Sequence, residues 1–236
     1  MNDGPKDFML KQLDDKFLKM SDLKSFYKNY GDGLLATEKE TIKNKITSLR
    51  KIYRSKKINA VNIYGGTLSI GPRPGIGKLQ ELYKDGTDII VTLLKKEENA
   101  DDINIFTTDV DMDWVWFPLS ASELSKDDDT INSLLAIYAR LLGELKMGKS
   151  IHIHCAAGVH RTGLFTNGLL MFSGFDGSEA RQLIYKMRPV TAIEKVEKHW
   201  AWSTSIVQEY LSNLPNEKGS KLAGRPASDQ ATPPTD

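Results

Sequence analysis

One stretch of this chain requires a strand, a tight turn and a helix in immediate succession. Residues 150–154 (Ser-Ile-His-Ile-His) alternate, with β-branched side chains on one face, which is typical of a β-strand. Residues 162–172 are mostly apolar and predict a buried helix. In open α/β sheets, ligands bind where the carboxyl end of a strand meets the N-terminus of a helix. The short connection between these two segments is therefore the first candidate site.

The connection contains the only cysteine of the 236 residues, Cys155, and five residues separate it from Arg161. A thiolate can attack phosphorus, and a planar guanidinium can bind two phosphoryl oxygens at once. The helix N-terminus favours an anion and thus the thiolate form of Cys155, while Gly158 lets the loop amides converge. Thr162 can donate a hydrogen bond to the sulfur. The candidate phosphate-binding residues are Ala156, Ala157, Gly158, Val159, His160 and Arg161.

This stretch, starting at His154, resembles the His-Cys-x5-Arg-Ser/Thr signature of the cysteine-dependent phosphatases, and most of all their compact dual-specificity branch. The resemblance extends over residues 58–214. It implies hydrolysis of phosphomonoesters through a cysteinyl-phosphate intermediate, with His154 in a supporting role and neither cofactor nor metal. Weaker similarities follow in the family's order: Leu68–Pro74 (early strand and turn), Asp88–Leu94 (next core strand), Trp114–Leu119 (strand before the general-acid loop) and Met187–Pro189 (Arg-Pro after the signature helix).

The proton donor is open at this point. The resemblance implies an aspartate shortly after Phe117-Pro118, but Ala121 holds that position. Glu123 lies two residues further on and is the leading candidate, because the family delivers its acid from this loop. His160 is the second candidate, since an imidazolium beside a phosphate can donate a proton at neutral pH. Two possibilities remain besides these: the cluster Asp127, Asp128 and Asp129, or no dedicated donor.

A metal site is the alternative interpretation of the same stretch. His152, His154, Cys155 and His160 are all possible zinc ligands. A bound cation would, however, leave Arg161 unexplained and would place its guanidinium beside another positive charge. The sequence therefore favours phosphate over zinc.

The pattern along the chain predicts an α/β fold with a central, mostly parallel sheet flanked by helices, like that of dual-specificity phosphatases. Residues 58–214 form this predicted catalytic domain. Residues 1–57 predict an N-terminal helical extension, and residues 215–236, rich in Pro, Ser, Gly and charge, predict a disordered tail. The polar segment 95–102 is expected to be an exposed connection.

The N-terminal extension contains two apolar stripes at helical spacing. One continuous helix is predicted from Phe8 to Tyr27, and a Thr37–Glu40 capping box predicts the start of a second. Both stripes are expected to pack on the catalytic domain. Residues 1–60 carry a net charge of +6, which indicates either a solvated basic face or docking to an acidic partner.

Charge and hydropathy in the rest of the chain limit which binding partners and which compartment are expected. Residues 61–236 have a net charge of −5, which disfavours a nucleic-acid groove and hence an RNA 5′-phosphate substrate. Sequence hydropathy predicts neither a membrane span nor a secretory signal, and a reactive thiol fits a reducing compartment, so a cytoplasmic location is expected. Residues 71–78 do not match a nucleotide-binding loop, although Arg73 within them can lie near the site.

Phosphorylated protein is the expected substrate, with phosphotyrosine as the default and phosphoserine or phosphothreonine possible. Ala156, Ala157 and Val159 supply no lysine to the loop, which disfavours phosphoinositides without excluding them. A phosphate-binding pseudophosphatase or adaptor is the non-enzymatic alternative. Catalysis is favoured over it because both Cys155 and Arg161 are intact.

Overall fold

The computed structural model describes residues 4–55, 57–120 and 122–214. Its centre is a five-stranded sheet in the order β1-β2-β5-β3-β4. Strand β1 is antiparallel to β2, and all other neighbours are parallel, which confirms the predicted mostly parallel sheet. The predicted tail, 215–236, lies outside the described residues. The strands are β1 (Ala60–Ile63), β2 (Gly66–Pro72), β3 (Ile89–Thr92), β4 (Asp113–Trp116) and β5 (Ser150–Cys155).

Helices surround this sheet and form an N-terminal layer. None of the described helices is long and apolar enough to cross a membrane. The helices are α1 (Pro5–Lys11), α2 (Met20–Tyr30), α3 (Ala36–Arg54), α4 (Ile76–Lys84), α5 (Asp101–Asp109), α6 (Asp128–Lys146), α7 (His160–Phe172), α8 (Gly177–Met187), α9 (Pro189–Ile193) and α10 (Glu197–Ser212).

Both faces of the sheet are covered. Successive residues of a strand point to opposite faces, so Ile90 packs with Leu79 and Leu82 of α4, whereas Ile89 and Val91 point the other way. On that second face they join the largest apolar cluster, to which α6, α7, α8 and α10 contribute. Helix α7 is almost entirely buried there, as its apolar sequence predicted. The helix that follows the candidate loop is therefore held rigidly.

The parallel strands end at one edge of the sheet, called the carboxyl edge from here on. In the strand register, Cys155 is level with Pro72 of β2, and Thr92 of β3 is level with His154. Trp116 of β4 is in turn level with Thr92. The segments that follow these four strands therefore meet around Cys155.

The N-terminal helices pack on the rest of the chain, as their stripes indicated. Leu23, Ile42 and Leu49 form one apolar cluster with Ile193 of α9. The ring of Phe17 meets that of Tyr185 edge-on, with centroids 5.5 Å apart.

The prediction of one continuous helix from Phe8 to Tyr27 is wrong. Helix α1 ends at Lys11, and a short 3-10 turn follows at Gln12–Asp14. The carboxylate of Asp15 then accepts the N–H of Phe17 at 2.8 Å, which competes with helical hydrogen bonding.

Helix α3 begins before the predicted capping box, because Glu38 accepts the N–H of Leu35 at 2.7 Å.

The segment 95–102, which was predicted to be an exposed connection, contains regular structure. It contains a 3-10 turn at Lys96–Glu98 and the first residues of α5, a helix that its polar sequence concealed.

Candidate active site

Cys155 is the last residue of β5, and β5 lies between β2 and β3 in the sheet. Its side chain is nearly enclosed, with 3% of the residue exposed. The N–H of Gly158 points at the sulfur, with N and Sγ 3.2 Å apart. Helix α7 begins two residues later, at His160. The sulfur therefore lies at the middle of the carboxyl edge, below a turn whose amide points toward it.

Gly158 is fixed in this turn from both sides. Its φ is +66°, and a Cβ at this position would lie 2.3 Å from the carbonyl of Gly71, so no other residue fits without movement. Its own carbonyl accepts hydrogen bonds from Arg188 Nη1 and Thr191 Oγ1, each at 2.7 Å. The family resemblance pointed to Arg188, whereas no sequence signal pointed to Thr191.

Arg161 is held by a carboxylate that the sequence did not suggest. Its Nη1 and Nη2 atoms lie 2.5 and 2.7 Å from the two oxygens of Glu98. These bonds hold the pKa of Glu98 at about 2 and raise that of Arg161, so both groups are ionised at neutral pH. Nη1 also donates to the carbonyl of Leu93 at 3.2 Å.

This pairing leaves one side of the guanidinium available. Among the described residues, Nε makes no hydrogen bond to nitrogen or oxygen, and Nη2 makes one, to Glu98. The guanidinium also interacts with the sulfur of Cys155. A guanidinium has five N–H groups, and two along one edge can bind two oxygens of a phosphoryl group. Arg161 can therefore hold Glu98 and a phosphate together.

Arg73 ties the Glu98 segment to the loop around Cys155. Its guanidinium donates to the carbonyls of Glu98 and Asn99 at 3.0 and 3.2 Å, and to the carboxylate of Asp102 at 2.7 Å. Its backbone N–H donates to the carbonyl of Ala156 at 3.1 Å. The structure thus places Arg73 behind the site, where it supports other residues without lining the cleft.

These groups open onto a cleft of about 520 Å³. Its walls come from the segments after β3, β4 and β5, as expected for a site at the carboxyl edge. The residues that line it are Lys95, Glu97, Glu98, Leu119, Ser120, Ser122, Cys155, Ala156, Ala157, His160 and Arg161.

Several solved structures share this architecture. Tk-PTP in a mutant form aligns with a TM-score of 0.52 and 21% identity, over 64% of this chain and 96% of that one. Tk-PTP in its active form gives 0.50 and 20%, over 66% and 97%. Kinase associated phosphatase, with its catalytic cysteine replaced by serine, gives 0.53 and 16%, over 72% and 97%.

The chain has the fold of the cysteine-dependent phosphatases. The α/β architecture implied by the signature is thereby confirmed. Neither a protein-family model nor a curated protein matches the sequence. The roles of individual residues are therefore inferred from their contacts in this structure.

The candidate proton donors do not all line the cleft. His160 is exposed and lines it, whereas Glu123 lines a neighbouring pocket instead. Asp127 caps α6, where bonds from the hydroxyl and N–H of Thr130 lower its pKa. Ala121 lies outside the described residues. Glu97, which the sequence did not suggest, is exposed and lines the cleft.

Thr162 is placed differently from the expectation. Its hydroxyl is buried in the first turn of α7 and makes no hydrogen bond with any described group, including the sulfur of Cys155. The predicted bond from Thr162 to the sulfur is absent from this structure, so the role of Thr162 stays a prediction.

The histidines on β5 interact with hydroxyl groups. His154 Nε2 lies 2.9 Å from Thr92 Oγ1, and His152 Nδ1 lies 2.9 Å from Ser69 Oγ. Burial lowers their pKa values to about 4 and about 3, so both rings are neutral at physiological pH. Across the described part of the chain, no group of three or more His, Cys, Asp or Glu side chains is arranged to hold a metal ion.

Proposed function

We propose that this chain is a cysteine-dependent phosphatase that hydrolyses phosphomonoesters on proteins, with phosphotyrosine as its main substrate. The observation that carries the proposal is the sulfur of Cys155 lying below the Gly158 amide, at the base of a cleft that Arg161 also lines. With the Cys-x5-Arg spacing, the sulfur of Cys155 can attack a phosphorus atom while the guanidinium of Arg161 binds two oxygens of the same phosphoryl group.

The first chemical step transfers the phosphoryl group to sulfur. The Cys155 thiolate forms an S–P bond while the P–O bond to the alcohol breaks, and the leaving oxygen takes a proton from the donor. In the second step water attacks phosphorus, the S–P bond breaks, and the former donor takes a proton from the water. Arg161 and the loop amides bind the equatorial oxygens in both steps.

His160 is the proton donor best supported by position, because of the two leading candidates only His160 lines the cleft. Glu98 is unsuited to the role, since its pKa of about 2 keeps it ionised. Glu97 is the carboxylic acid that remains within the cleft.

The surroundings of the cleft support a protein substrate over a polyphosphorylated lipid. Lys95 is balanced by Glu97, whose Oε1 lies 4.0 Å from its Nζ, and the loop itself offers Ala156 and Ala157. A headgroup with several phosphates needs more positive charge than this wall offers. A free thiol nucleophile also fits a reducing compartment such as the cytoplasm.

Turnover of p-nitrophenyl phosphate tests the enzymatic proposal. We expect hydrolysis by the wild type and a loss of at least ~10³-fold in Cys155→Ser, whose hydroxyl is a far poorer nucleophile. Arg161→Lys keeps the charge but loses the planar two-point contact, so a similar loss is expected. Near-normal turnover in Cys155→Ser would exclude the thiophosphate mechanism.

A substrate panel tests the finer assignment. The rates to compare are those for phosphotyrosine, phosphoserine and phosphothreonine peptides, phosphoinositides and a 5′-phosphorylated RNA. The proposal predicts the highest kcat/KM for a phosphotyrosine peptide. Binding of phosphopeptides without any turnover would instead indicate a phosphate-binding adaptor.

A further inference from the structure

A second pocket, of about 440 Å³, adjoins the cleft. It lies between the end of β4, the segment that follows β4, and α10. Four residues line both spaces, which are therefore adjacent: Lys95, Glu97, Leu119 and Ser120. A peptide whose phosphorylated side chain is bound at Cys155 would therefore pass close to the second pocket.

Two indole rings line this pocket and both are fixed in place. Trp116 Nε1 donates to the carbonyl of Leu94 at 2.7 Å, and Trp202 Nε1 donates to the carbonyl of Ser125 at 2.9 Å. Trp116 also lies nearly parallel to Trp114, with centroids 5.8 Å apart. An indole N–H that is already satisfied leaves an apolar ring face for a ligand.

Trp116 is 38% exposed on the outermost strand of the sheet, β4. Covering such a ring with another apolar group removes unfavourable contact with water. Pro118 and Leu119 extend the apolar surface between the two indoles. The apolar part of the pocket is thus held in place before a ligand binds.

The charges around the pocket identify what kind of group it takes. Lys95 and Lys96 are matched by Glu97 and Glu123, so the lining of the pocket has no net charge. A second phosphate or an acidic side chain would need an excess of positive charge. A pocket with no net charge and two indole rings is complementary to a neutral apolar side chain.

We propose that this pocket binds an aromatic or large aliphatic side chain of the substrate, next to the phosphorylated residue in sequence. The proposal rests on the phosphatase function inferred above and adds the determinant of peptide choice. The phosphorylated side chain enters the cleft at Cys155, and a neighbouring side chain packs between Trp116 and Trp202.

Matched phosphotyrosine peptides test this. Each peptide carries Phe, Leu, Glu or Ala at a single position beside the phosphotyrosine and alanine elsewhere. The readout is the ratio of kcat/KM for the Phe or Leu peptide to that for the all-alanine peptide, measured within one protein. General losses of activity cancel in this ratio.

For the wild type we expect a ratio on the order of ten at one flanking position, as burial of such a side chain predicts. Trp116→Ala and Trp202→Ala should bring the ratio close to one. Tyr83→Ala removes a similarly exposed aromatic ring at the far end of the sheet and should keep the wild-type ratio. A ratio of one at every position in the wild type, a preference for Glu, or a ratio that survives both tryptophan variants would overturn the proposal.

Two measurements together separate this proposal from the phosphatase function: hydrolysis of p-nitrophenyl phosphate by the wild type, and the affinity of Cys155→Ser for the peptides, determined by calorimetry. If p-nitrophenyl phosphate is hydrolysed but no flanking preference appears, the subsite is wrong and the enzyme assignment stands. If nothing is hydrolysed but the Phe peptide still binds Cys155→Ser about ten-fold more tightly than the alanine peptide, the subsite stands and the enzyme assignment is wrong.

Discussion

Glu98 and Arg161 meet in a two-point ion pair, with nitrogen–oxygen distances of 2.5 and 2.7 Å at the wall of the cleft. The carboxylate occupies the edge of the guanidinium formed by Nη1 and Nη2. This contact fixes the plane of the guanidinium, because a planar fork bound at two points cannot rotate about its long axis. The orientation of the phosphate-binding arginine thus depends on a residue 63 positions earlier in the chain.

Glu98→Gln should lower kcat/KM for p-nitrophenyl phosphate by roughly ten- to a hundred-fold, since a hydrogen bond to a charged group contributes about 1.5–3 kcal/mol. The amide can still accept one bond but no longer matches the fork. Glu81→Gln, at an exposed surface ion pair, is the matched control and should have little effect. Equal kinetics for the two variants would show that Glu98 does not orient Arg161.

Arg73→Met should lower kcat/KM by about ten-fold, because it removes three hydrogen bonds that hold residues 98–102 in place. Arg73 acts as a positioning residue, through Glu98. The double variant Arg73→Met/Glu98→Gln should therefore lose less than the product of the two single losses. Independent effects that simply multiply would contradict this chain of contacts.

The sequence predicted the parts of the molecule that depend on local pattern. The strand before Cys155 and the buried helix after it both follow from hydrophobic periodicity. Glu98 could not be found in this way, because its role depends on strand order: β3 lies beside β5 only in the folded sheet. The one available signal was its position shortly after a buried strand, at an edge where ligands bind.

Helix α5 and the break before α2 escaped prediction for a different reason. The first turn of α5 is acidic and polar, and only Ile103 and Thr107 of the helix are buried, so its periodicity is faint. At the break, the side chain of Asp15 accepts the backbone N–H of Phe17, a contact that no periodicity reveals. Side-chain competition with the backbone is visible only once the chain is folded.

Leaving-group dependence should identify the proton donor. If His160 is the donor, His160→Asn should slow hydrolysis of phosphotyrosine and spare a substrate whose leaving group needs no proton, such as p-nitrophenyl phosphate. Glu123→Gln, in the neighbouring pocket, should then behave like the wild type. A selective loss in Glu123→Gln would instead favour the original sequence prediction, and one in Glu97→Gln would assign the role to the acid that the sequence missed.

Acidification should destabilise the fold well before its carboxylates titrate. His152 and His154 have folded pKa values of about 3 and 4, below the ordinary 6.5, so the unfolded chain takes up protons first as the pH falls. The free energy of unfolding should drop by about 1.4 kcal/mol per pH unit for each histidine below pH 6.5. Glu98 adds nothing in this window, because its pKa is lowered and its contribution is lost only below about 4.5.

Urea unfolding between pH 7.5 and 5 measures this slope. His152→Gln should show a shallower pH dependence than the wild type, whereas His160→Asn, at an exposed histidine, should keep most of it. A flat profile in the wild type would show that the buried rings take up protons as readily in the folded state as in the unfolded chain.

The enclosure of Gly158 limits how this loop can change. Because Gly71 fills the space that a side chain would need, and because Arg188 and Thr191 hold the carbonyl, the middle of the loop cannot be varied without rebuilding the end of β2. Any redesign toward another phosphoester must use the positions whose side chains face the cleft. Within the loop that leaves Ala156 and Ala157, two small residues whose enlargement would narrow the entrance and whose replacement by lysine would attract more highly charged substrates.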